Sequence, residues 1–147
     1  MREDGCRRED CFVCTSGGSG SCSKNSVRYD IICKEECKIE DIYEGETSYN
    51  GYTRGQKHRS AYENEDDSSI LWKHCVSKHE SKRVEFKMNV KKSFEKDTMM
   101  RQIDEGVTIY NTPNERLMNS RSEWNIVSIP ETRITSKNNA IIIGNAN

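Results

Sequence analysis

The chain has 147 residues, 33% of them hydrophobic and 32% charged, with a formal net charge of −1. That length accommodates one domain, or a compact domain with an attached metal-held module. The apolar share is thin beside the roughly 45–50% of ordinary globular chains, glycine included, so something besides hydrophobic burial has to help hold the fold. No run approaches the roughly 18 consecutive apolar residues of a membrane helix, so no membrane partner is expected. Near-neutral charge leaves any nucleic-acid contact to a local basic surface.

The seven cysteines are clustered: Cys6, Cys11, Cys14, Cys22, Cys33 and Cys37 precede position 40, and Cys75 stands apart as a core residue. The charged start, MREDGCRRED, has no apolar run resembling a signal peptide. Metal ligation is therefore preferred to disulfides, and an intracellular location is expected. The nucleus is an alternative location, although no polybasic import signal is visible.

Residues 1–25 are rich in Cys, Gly and Ser and include a flexible stretch, SGGSGS, at Ser16–Ser21. Cys6-x4-Cys11-x2-Cys14-x7-Cys22 offers four soft ligands, a tetrahedral Zn²⁺ knuckle. A domain over 26–129 follows, then a tail over 130–147. Val27, Tyr29, Ile31 and Cys33 alternate with Arg28, Asp30 and Ile32, the pattern of a largely buried strand, and a second strand fits Ile39 to Glu46. Gly45 and then Asn50-Gly51 mark a break, with a basic helix over Tyr52 to Arg59.

Ser68-Ser69 can cap a helix carrying Ile70, Leu71, Cys75 and Val76 toward His79. Val84, Phe86, Met88 and Val90 alternate cleanly as a strand. A further helix fits Asp97 to about Tyr110, with Met99, Met100, Ile103 and Val107 as its apolar stripe. Leu117 to Trp124 is expected to pack on the sheet, and Trp72 and Trp124 read as core or capping aromatics. Cys33-x3-Cys37 and His74-x4-His79 have the pair spacings of a second Zn²⁺ site. The alternative is a buried strand cysteine and two surface histidines. Lys82, Arg83, Lys87, Lys91, Lys92 and Lys96 form a basic run that could follow a DNA backbone or simply be a solvated face.

Tyr29 in VRYDI, Tyr43 in IYEGETS, Arg54 in YTRGQKH, Glu105 in RQIDEGVTI and Asn119 in LMNSRSEW follow one another in an order and spacing that resembles the GIY-YIG nucleases. Together with the Cys33/Cys37 pair and the His74/His79 pair, these strings resemble the endonuclease module of Penelope-like retroelements. The resemblance implies an α+β fold, a small antiparallel sheet flanked by helices, and metal-dependent cleavage of DNA. A reverse-transcriptase region of a larger element is then an implied partner. With no polymerase segment in the sequence, the chain reads as a separated module, a domesticated copy or a fragment.

The chemistry suits these residue types, because phosphodiester hydrolysis needs an activated water, a cation at the nonbridging oxygens and stabilised developing charge. Glu105 would hold Mg²⁺ or Mn²⁺ through one carboxylate, and Asp104 is the second candidate since it flanks the apolar stripe. Arg54 would fork onto the phosphate, with His58 on the same helical face four residues later. Tyr29 and Tyr43 would place two phenols at one cleft, and Asn119 would brace it by hydrogen bonding. Two rival readings are a zinc-stabilised nucleic-acid-binding module whose nuclease site has decayed, favoured by the degenerate VRYDI and YEG, and a structural zinc protein that binds other proteins.

Overall fold

The computed structural model describes residues 6–119 and, further along, a pair of two-residue strands at Thr135–Ser136 and Asn139–Ala140. The tail expected over 130–147 and Trp124 otherwise lie outside the described residues. The architecture is α+β: a three-stranded antiparallel sheet with helices on both faces.

β1 (Asn25–Cys33) is the middle strand, between β2 (Ile42–Asn50) and β3 (Phe86–Ser93). A central strand covered on both faces explains why Arg28 and Asp30 are buried beside Val27, Tyr29 and Ile31. β2 starts and ends later than the sequence suggests, because its ladder with β1 runs from Ile42 opposite Ile32 to Asn50 opposite Asn25. Gly45 lies inside that strand, so it is no break. Asn50 does end the strand: its side chain accepts a 2.7 Å hydrogen bond from the Thr53 amide and caps α2 (Gly51–Glu63).

α1 (Phe12–Thr15) is a single turn packed against α2, while α3 (Ile70–Lys78) starts at Ser69, whose hydroxyl accepts from the Trp72 amide at 3.2 Å. These elements cover the face of the sheet that carries Val27, Tyr29 and Ile31. The core there includes Val13, Leu71, Met88 and Phe86 and takes in Cys11, Cys22, Cys33 and Cys75.

α4 (Thr98–Asn111), capped by Asp97, covers the other face. Here the expected stripe is corrected: Met99, Met100 and Val107 are exposed, with Tyr110 beside them, while Arg101, Gly106 and Ile109 are buried. The reason is the polarity of the facing strands. Arg28 donates to Asp104 at 3.0 Å and to Glu44 at 3.1 Å, and Arg101 is paired with Glu46. Each buried charge has to be met by another, so the helix turns its charged side inward.

Both sheet edges are covered over part of their length. Leu117 bridges Ile42 in parallel beyond β2, and the Asn119 carboxamide bonds to both backbone groups of Glu44 at 2.8 Å. Beyond β3, the Met88 amide donates to the Ser16 hydroxyl at 3.1 Å and the Val90 amide to the Ser19 carbonyl at 2.8 Å. Gly18 passes so close that a Cβ would stand 1.6 Å from the Met88 carbonyl oxygen. The stretch expected to be flexible is thus pinned along β3.

A basic cleft and two metal-ligand groups

Tyr29 points from the middle strand into the α2 side, and its ring is wholly buried. Its hydroxyl accepts from Arg54 Nε at 2.9 Å and lies 2.8 Å from His58 Nε2. Arg54 and His58 are one helical turn apart on α2, so one face of that helix meets one phenol. The Tyr43 ring, on β2, stands 6.2 Å from that of Tyr29 and 5.5 Å edge-on from His58. Four sequence-expected residues therefore form one group. Burial, reinforced by Arg54, lowers the His58 pKa to about 3, so the imidazole is neutral. Burial, with Tyr43 nearby, raises that of Tyr29 well beyond the usual phenol range, so it is un-ionised.

This group opens into a cleft of about 270 Å³ between α2 and α3, lined among others by Tyr43, Arg54, Lys57, His58, Ser69 and Lys73. No carboxylate lines it among the described residues. Sequence reasoning missed Lys57 and Lys73. Lys57 stood inside YTRGQKH between two named residues, but only the α2–α3 packing shows that Lys73 faces the same space.

Asn119 braces β2 through the Glu44 backbone, one residue from Tyr43. Glu44, the central residue of YEG, is buried against Arg28, and burial raises its pKa despite that partner. The carboxylate of Asp104 is engaged by Arg28. Glu105 is half-buried on α4, the helix of the opposite sheet face, with β2 the edge strand both faces share. The basic run is dispersed: Arg83 pairs with Glu65, Lys91 with Asp30, and Lys92 lies over the Phe94 ring.

The cysteines and histidines assemble into two groups, Cys6/Cys11/Cys14/Cys22 and Cys33/Cys37/His74/His79, each with its ligand atoms within 4.8 Å of one another. Cys14 and Cys22 sulfurs are 3.8 Å apart. In the second group the separations are 3.5 Å for Cys33 to His79, 3.6 Å for Cys37 to His74 and 3.1 Å between the two Nε2 atoms. A tetrahedron with Zn–S near 2.3 Å and Zn–N near 2.0 Å has edges of about 3.8 Å between sulfurs and about 3.3 Å between nitrogens. Both groups could hold zinc. The 3.8 Å separation is far from the roughly 2.05 Å of a disulfide, and the six cysteines of the two groups are free thiols, as is Cys75. Burial pushes the Cys11 thiol up to about 11 and the Cys33 thiol up to about 12, so a bound cation would have to displace their protons.

Comparison with protein-family models, curated proteins and solved structures gives no match to this chain.

Proposed function

We propose that the chain is a metal-dependent DNA endonuclease that hydrolyses a phosphodiester and nicks a strand, in the manner of the GIY-YIG nucleases its strings resemble. The observation that carries this reading is the Tyr29–Arg54–His58 contact with Tyr43, at the mouth of a cleft whose charged residues are all basic. Phosphate is the anion such a wall suits, because it needs several donors and positive charge together.

Tyr29 has no exposed surface, so its part is positioning: it takes the Arg54 Nε–H and donates to His58 Nε2. His58 then carries its proton on Nδ1 and, being neutral, donates it to a phosphate oxygen. Tyr43 is the phenol at the cleft and orients the attacking water. The water oxygen bonds to phosphorus, and the bridging P–O bond breaks with its electron pair on the leaving sugar oxygen. That oxygen takes a proton from solvent, and Tyr43 relays the proton of the attacking water to solvent. The resemblance gives Glu105 the part of Mg²⁺ or Mn²⁺ ligand, although α4 covers the opposite sheet face, and an ion held there would supply neutralising charge for the nonbridging oxygens. In this reading the two zinc ions are structural.

The test is Mg²⁺- or Mn²⁺-dependent nicking of supercoiled plasmid by zinc-loaded protein. Arg54→Ala and Glu105→Ala should each lose about 100-fold or more. Absent nicking with DNA binding intact would replace this reading by the binding module with a decayed site.

A further inference from the structure

Charge and volume in the cleft exceed what one phosphate requires. A phosphodiester carries a single negative charge, and Arg54, already oriented by Tyr29, supplies one positive charge at the Tyr43 end. Lys57 and Lys73 remain, on α2 and α3 respectively, the former with its ammonium 4.8 Å from the Tyr49 ring centroid. Neutral His58 adds nothing to the count. At about 30 Å³ for each water, the 270 Å³ cleft equals about nine waters, far more space than one phosphate group fills.

Lys73 is the more telling of the two. It is exposed, and among the described residues no carboxylate pairs with it, whereas Arg59, Lys78, Arg83, Lys91 and Arg116 each have an acidic partner. The backbone of its turn is anchored on both sides: Ser69 caps the helix one turn before it, and His74 beside it belongs to the Cys2His2 group. An exposed cation on an anchored turn, beside a cleft with no carboxylate among the described residues, suits an anion from outside.

We propose that the α3 wall is a second phosphate subsite, in which Lys73, with Lys57 across the cleft, takes the phosphodiester next to the one held by Arg54. The cleft then grips a nucleic-acid backbone over at least one full nucleotide step. This rests on the phosphodiester reading of the site, and it adds that affinity and chemistry are divided between two walls. Contacts to the flanking phosphate are the same before and during reaction, so they act on substrate affinity rather than on turnover.

The experiment measures binding of a fluorescently labelled single-stranded 12-mer oligodeoxythymidylate to the zinc-loaded protein, with Ca²⁺ present to hold off turnover, over a series of salt concentrations. Lys73→Ala should weaken binding five- to tenfold at low salt and make the slope of log K against log salt shallower by about 0.7, the value for one lost contact to a single strand. Lys73→Arg should restore both. Lys24→Ala, exposed and outside the cleft lining, should change neither. In nicking assays with Mg²⁺, Lys73→Ala should raise KM and leave kcat unchanged. Wild-type affinity and slope in Lys73→Ala, or an equal loss in Lys24→Ala, would overturn the subsite. Lys73-dependent binding by a chain that never nicks would instead remove the endonuclease reading and leave the subsite standing.

Discussion

Gly45 stands directly opposite Tyr29 in the β1–β2 ladder, and a Cβ there would lie 2.3 Å from the ring's Cζ and 2.5 Å from its hydroxyl oxygen. The ring is buried on every side and cannot swing away. Gly45→Ala should therefore cost about 1–3 kcal/mol of stability, as overpacked cores do, and should displace the hydroxyl that Arg54 and His58 share. Thermal unfolding together with nicking would show it; an unchanged Tm with full activity would contradict it. In sequence this glycine reads as a chain break, since glycine marks turns more often than close approaches. Only the cross-strand partner reveals that the missing side chain makes room for a phenol.

His58 supplies a second prediction at this scale. Its folded pKa of about 3 lies below the ordinary 6.5, so the unfolded chain binds more protons between those values. Its contribution to stability is present above pH 6.5 and is lost as pH falls toward 3, by at most about 1.4 kcal/mol per pH unit. Urea unfolding at pH 7 and pH 5 should show the loss, and His58→Gln should remove it. An imidazole that titrates near 6.5 by NMR would sink the idea.

Among the elements, the strands and caps were legible because their signals are local. Alternation marks β1 and β3, and Ser69 and Asp97 mark the helix starts. The orientation of α4 was not legible. Periodicity shows that a helix has an apolar and a polar side, but not which of them the neighbouring sheet will accept. Arg28 and Glu44 decide that, and they lie more than fifty residues away in sequence. The cleft stayed hidden although α2 and α3 are neighbours in sequence, because periodicity does not say how two helices pack. The Cys33/Cys37 and His74/His79 pairs were readable from spacing alone, whereas their meeting depends on the end of β1 reaching α3.

Over the whole molecule, the thin apolar supply and the two ligand groups belong together. Cys11, Cys22 and Cys33 are members of the same core cluster as Val27, Tyr29 and Leu71, so ions held by them would cross-link the core itself. Elemental analysis should find two zinc ions per chain. Their removal by a chelator should unfold the protein in a single transition, because a structural zinc site contributes its binding energy to folding. Chelated protein with unaltered circular dichroism and unaltered Tm would refute this.

A three-stranded sheet has two open borders, and an unpaired strand border is a template on which a second molecule can add its own backbone. Here Ser16 and Ser19 take up the Met88 and Val90 amides of β3, and Asn119 and Met118 the Glu44 amide and the Ile42 carbonyl of β2. Along those stretches the ladder is already occupied, and concentrating the protein should not feed the growth of intermolecular β-structure there.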